Sequence, residues 1–127
     1  LMDICKELIS VEQNTLSEDG KFSWEEVECL GACSNAPMIQ IGKDYYEDLN
    51  AESFKNIIET FRSGKIPRAG SQTGRYSSEP LKGLTSLKDY ESDKNQFNAS
   101  VQLADSFGDT VKRINPNKIK NAAVVKE

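Results

Sequence analysis

The chain contains no histidine. That removes imidazole acid–base chemistry, His-containing triads and His metal ligands from its own repertoire. No apolar run approaches the roughly 20 residues that a bilayer-spanning helix needs, and no basic stretch leads into an apolar one in the manner of a secretory signal. Positive charge is in short supply as well: the net charge is −4 and the pI is near 5.0, which argues against general nucleic-acid binding. Apolar residues make up only 37% of the 127 residues, with a mean hydropathy of −0.58. One modest domain plus a polar tail is the expectation.

What charge there is lies unevenly. Residues 1–63 hold 5 Lys+Arg against 13 Asp+Glu, whereas residues 64–127 hold 11 against 7. An acidic folded part followed by a basic, polar stretch is the simplest picture. The basic stretch either is solvated or lies on an acidic partner surface.

The acidic part has a legible order. Leu1, Ile4, Cys5 and Leu8 recur at helical spacing and predict a helix with one apolar stripe, already in register at the first residue. A start at Leu1 in mid-pattern reads as a fragment whose upstream part is missing. Ser10 to Gly20 is loop-like, with a turn at Asp19-Gly20. Phe22-Ser23-Trp24 alternates as a strand would, and the broken period at Glu25-Glu26 predicts a bulge or bend. A second strand is expected over Met38 to Ile41, with Gly42-Lys43-Asp44 turning it into Tyr45-Tyr46. Asn50 is placed to cap a second helix striped by Phe54, Ile57, Ile58 and Phe61; Gly64 and Pro67 would end it. Trp24, Tyr45 and Tyr46 read as packing residues, not electron relays. Two strands make a poor sheet, and a further strand upstream of Leu1 would repair it. Residues 97–114 carry a weak helical pattern that Gly108 interrupts.

Cys29 and Cys33 are the residues whose chemistry stands out. A C-x3-C pair on a small-residue loop lets two thiolates converge on one centre, and Gly31 lets backbone N–H groups come close to the sulfurs. Iron–sulfur clusters take four cysteines and zinc takes four ligands. Cys5 belongs to the apolar stripe and reads as a small buried hydrophobe. Spacing alone leaves three readings open: metal ligands, plain thiols, or a disulfide. A redox dithiol normally uses C-x-x-C, one residue shorter.

The wider string adds to this. Glu26-Val27-Glu28-Cys29-Leu30-Gly31-Ala32-Cys33-Ser34-Asn35-Ala36-Pro37-Met38 closely resembles the second cluster-binding segment of the small iron–sulfur subunit of respiratory complex I, in its NADH dehydrogenase module. Asp19-Gly20-Lys21-Phe22 precedes it and Tyr45-Tyr46-Glu47-Asp48-Leu49 follows it, as in that family. Gly74-Arg75-Tyr76-Ser77-Ser78-Glu79-Pro80 and Leu84-Thr85-Ser86-Leu87 resemble its extended C-terminal segment. The likeness covers about residues 1–88; residues 89–127 match nothing nameable.

The resemblance implies an α/β, thioredoxin-like [2Fe-2S] ferredoxin domain over residues 1–64, without its first strand and first cysteine pair. An extended partner-binding segment over 65–88 and a polar extension over 89–127, read as a flexible tail, complete the expected organisation. In the family a C-x4-C pair and a later C-x3-C pair bind one [2Fe-2S] cluster. Cys29 and Cys33 match the later pair, and the other two ligands are expected upstream. The implied role is one-electron transfer, with no acid, base or nucleophile in this chain. The implied partners are the FMN- and NADH-binding subunit and neighbouring iron–sulfur subunits of NADH:quinone oxidoreductase, without nucleic acid or a membrane span. The implied location is peripheral, on the cytoplasmic face of a bacterial inner membrane or the matrix side of a mitochondrial one. In that setting Leu30 would shield the cluster from water, and Glu26 and Glu28 would lower its potential unless they are simply a solvated face. Arg75 to Leu87 would lie on the flavin subunit, and Ala36-Pro37 sits where thioredoxin-like folds often carry a cis proline. Three alternatives stand beside this. One is a free-standing ferredoxin of the same fold, or the equivalent subunit of a soluble hydrogenase or formate dehydrogenase. Another is a non-redox interaction module with structural or zinc-bound cysteines. The third is a dithiol oxidoreductase.

Overall fold

The computed structural model describes residues 1–88 together with Gln102, Leu103 and Ser106. Two helices pack on a small sheet. Helix α1 spans Met2–Leu8 and α2 spans Ala51–Arg62, while strands β1 (Ile39–Ile41), β2 (Asp44–Glu47) and β3 (Gly70–Ser71) form one sheet in that order. β1 and β2 are antiparallel, joined by a two-residue turn at Gly42-Lys43, and β3 lies parallel to β2. The strand expected over Met38–Ile41 thus begins one residue later, and the sheet has a third strand that periodicity did not reveal.

α2 forms because its ends are satisfied as well as its face. Asn50 accepts from the Ser53 amide at 2.8 Å, and the Ser53 hydroxyl accepts from the Asn50 amide at 2.9 Å, a reciprocal capping box. At the far end Gly64 takes a φ of +79° and donates to Phe61 O, while Lys65 donates to Thr60 O. Phe54 and Ile58 pack against Ile4 and Cys5 of α1, with Trp24 and Ile39 alongside. Ile57 faces the sheet, against Tyr46, Leu49 and Ala69. The Phe61 ring meets Tyr46 edge-on at 6.0 Å. Cys5 is a buried core residue, as its place on the stripe predicts; Leu1 is exposed at the helix start.

The strand expected at Phe22-Ser23-Trp24 is not one. Phe22 and Trp24 are half-buried and Ser23 is exposed, so the alternation is real, but the segment joins no sheet. Its carbonyls are taken instead by the preceding loop: Asn14 N–H donates to Trp24 O at 2.8 Å and Ser17 N–H to Phe22 O at 2.7 Å. Arg62 secures this loop, pairing with Asp19 at 3.2 Å, reaching Leu8 O and lying 5.6 Å over the Phe22 ring. Without a ladder there is no bulge at Glu25-Glu26; the chain simply runs out to an exposed Val27.

Residues beyond α2 return to the domain. Ala69, Gly70 and Ser71 are buried, and the buried Arg75 pairs with Asp48 at the end of β2. The packing therefore does not break after residue 64. Exposure rises past Glu79, with Leu81 and Leu87 both 72% exposed. Of the 97–114 stretch, Gln102, Leu103 and Ser106 are helical; the remainder, with the reading of 89–127 as a tail, lies outside the described residues.

Candidate metal centre

Cys29 and Cys33 sit on the loop between the Phe22–Val27 segment and β1. Cys29 is in irregular chain, and Cys33 opens a single turn of 3-10 helix over Cys33–Asn35. Gly31 between them takes a φ of +77°, backbone that a side chain makes costly. That turn aims the Gly31 N–H at Cys29 Sγ, 3.3 Å away, as the sequence predicts. The two sulfurs lie 3.7 Å apart and both residues are exposed. The loop is not a floppy lobe: Tyr45 Oη donates to Leu30 O at 2.9 Å, and the Asp48 and Leu49 amides donate to Asn35 O and Pro37 O. The Ala36–Pro37 peptide is cis.

The thiols are not equivalent. The Gly31 N–H, and secondly the Cys33 thiol, favour a thiolate at Cys29 and lower its pKa. Cys33, donating to Cys29 and facing that negative charge, is raised. Cys5 is raised by burial.

An open cleft of about 850 Å³ adjoins the loop, walled by Cys29, Leu30, Cys33, Trp24, Phe54 and Cys5 among others. Leu30 is half-buried on this wall, and Glu26 and Glu28, which also line the cleft, are exposed. Among the described residues no group of three or more Cys, Asp or Glu converges as a metal site. The donor chemistry fits half of an iron–sulfur coordination shell: two soft thiols at bridging distance, a backbone N–H on one sulfur, and open space beside them.

Residues 1–62 match the profile of the thioredoxin-like [2Fe-2S] ferredoxin family. That stretch belongs to this family. The chain is also 50% identical over 92 residues to the first of the E-type subunits of NADH-quinone oxidoreductase in Rhizobium meliloti, covering 69% of this chain and 33% of that protein. It is 39% identical over 87 residues to mitochondrial NADH dehydrogenase [ubiquinone] flavoprotein 2 of Dictyostelium discoideum, covering 68% and 35%. With the E-type NADH-quinone oxidoreductase protein of Rickettsia bellii it shares 48% identity over 63 residues, 50% of this chain and 38% of that one. The chain spans about a third of the length of the curated relatives it matches.

The α/β thioredoxin-like [2Fe-2S] ferredoxin assignment therefore stands. Residue-level reading missed the supports of the loop: Tyr45, Asn35, Asp48 and Arg75. All four lie inside the quoted likenesses around Cys33, Tyr45 and Arg75, where spacing marks Tyr45 only as a packing residue. Nothing in the order of residues says that Arg75 reaches Ser34, 41 positions away.

Proposed function

We propose that the chain is the small electron-transfer subunit of an NADH:quinone oxidoreductase, with Cys29 and Cys33 supplying two of the four thiolates of a [2Fe-2S] cluster. The observation that carries this is the sulfur pair: 3.7 Å apart, exposed beside an open cleft, with the Gly31 N–H on Cys29. The names of the relatives support the assembly. A [2Fe-2S] cluster held by Cys29 and Cys33 would supply one-electron transfer. This chain's own residues bind it, orient it and restrict water: the cysteines ligate, Gly31 donates to a sulfur, and Leu30 covers one side. Two further ligands complete the site from outside this pair, because Cys5 is committed to the core.

The partner in this reading is the subunit that binds NADH and FMN. The stretch past Glu79, with Leu81 and Leu87 exposed, is its contact on this side. The complex is peripheral to a membrane; no helix among the described residues is long and apolar enough to cross one. Iron, zinc and acid-labile sulfide measured on the native assembly, purified anaerobically, test the reading. Cys29→Ser is expected to remove about two irons and two sulfides per copy and to leave those of the neighbouring subunits in place. Iron and sulfide unchanged by Cys29→Ser, or zinc lost in their place, overturns it, and co-purification without membrane-arm subunits favours a free-standing ferredoxin instead.

A further inference from the structure

The carbonyls that follow Cys33 are gripped from far along the chain. Arg75 Nη2 donates to Ser34 O at 2.7 Å, and the Asp48 amide donates to Asn35 O at 2.7 Å. The buried Asn35 side chain donates onward to Ser77 O at 3.2 Å and to Glu47 at 3.3 Å. Arg75 is itself held on every nitrogen of its fork. Nε and Nη2 pair with the Asp48 carboxylate, and Nη1 donates to Glu79 O at 2.8 Å. Asp48 also accepts from the Ser71 and Thr73 hydroxyls, and the Ser71 oxygen accepts the Arg75 amide at 3.1 Å. The Asp48 backbone has a φ of +55°, left-handed backbone that aspartate adopts more readily than most non-glycine residues. Among the described residues the Arg75–Asp48 network meets the cysteine loop at the Ser34–Asn35 backbone next to Cys33.

We propose that Arg75, clamped by Asp48, is the positioning residue of the cysteine loop: it holds the Ser34 carbonyl and thereby keeps Cys33 within bridging distance of Cys29. The planar fork is what the role demands, since it spans a carboxylate and two carbonyls at once; a lysine, with one compact charge, keeps the pairing to Asp48 and loses the span. The inference deepens the metal-ligand reading, but the geometry it concerns belongs to this chain alone.

A trivalent arsenical such as phenylarsine oxide reports that geometry, because it binds tightly only where two thiolates reach one arsenic. The full chain, reduced, is expected to capture one arsenical per molecule, and Cys29→Ser to abolish tight capture. Arg75→Lys and Arg75→Met are expected to weaken capture about tenfold, the size of one lost hydrogen bond to a charged group. Amide exchange should rise over residues 32–36 while α2 keeps its protection, which a general loss of stability would not produce. If Arg75→Met does not fold, Arg75→Lys carries the test, since it retains the charge beside Asp48. Capture by the folded Arg75→Lys chain at the level of the unaltered chain overturns the proposal, as does failure of the unaltered chain to capture the arsenical. Iron and sulfide of the native assembly unchanged by Cys29→Ser, with the arsenical series as expected, would sink the cluster reading and leave the positioning role standing.

Discussion

At the scale of single residues, three cysteines of one chain live in three environments. Burial among Ile4, Phe54 and Ile58 makes Cys5 a packing atom with a raised pKa. The Gly31 N–H makes Cys29 the better thiolate, and that thiolate in turn holds the proton on Cys33. Thiolates, not thiols, are alkylated. Limited alkylation of the reduced chain by iodoacetamide near pH 7, mapped by mass spectrometry, should therefore label Cys29 first and Cys33 more slowly. Cys5 should react only when the chain is unfolded. Equal labelling of all three would contradict the burial and the hydrogen bond alike. The two tyrosines read as packing residues divide in the same way: Tyr46 is fully buried, whereas Tyr45 uses its hydroxyl to fasten Leu30.

Among the elements, α2 is the member on which the rest assembles. Its two buried faces serve α1 and the sheet separately, and Ile39 touches both groups. Its entry depends on Asn50, whose side chain takes a helix N–H that has no other partner. Asn50→Ala should cost about 1 kcal/mol in chemical unfolding, without altering the reactivity of Cys29 and Cys33, which lie on another element. The helices were legible because a 3.6-residue stripe and its caps are local signals: Ile4 and Cys5, then Phe54, Ile57, Ile58 and Gly64, all took the places their spacing implied. Phe22–Trp24 shows the limit of the same method. Alternation reports which side chains face inward, and they do, but a strand is defined by a neighbouring backbone that alternation does not encode. β3 is the converse case: Gly70-Ser71 has no pattern to read and becomes a strand only because β2 offers it an edge.

Across the molecule as a whole, one buried ion pair joins the end of β2, the returning segment and the cysteine loop. Burial by itself would raise the pKa of Asp48; the Arg75 guanidinium and the Ser71 and Thr73 hydroxyls outweigh it and hold it below the ordinary 3.8. A carboxylate depressed on folding contributes stability that is present above its unfolded pKa and disappears as the pH falls through its folded one. Asp48→Asn should thus be less stable than the unaltered chain by about 3 kcal/mol at pH 7. The gap should close on acidification below pH 3.8. Denaturant melts at stepped pH check this, and a gap that persists at low pH would show that the aspartate acts through shape and not charge. Glu47, raised by burial and then by the Asp48 charge, works in the opposite sense. It costs stability at neutral pH and is relieved as the pH falls through its raised value, so the acid limb reports the difference of the two groups.

Local order along the chain was enough to specify the helices, the caps of α2, the core residues on them and the hairpin at Gly42-Lys43, because each is written in spacing within a dozen residues. It also carried the likeness to thioredoxin-like [2Fe-2S] ferredoxins, which the match over residues 1–62 bears out. Two features came from folding alone: residues 69–79 turn back onto the domain, and Arg75 meets Asp48 and Ser34. The contacts behind them join parts of the chain tens of residues apart. Their pairing is set by which buried charges and carbonyls must find partners once the core has closed, and a one-dimensional pattern holds no record of that.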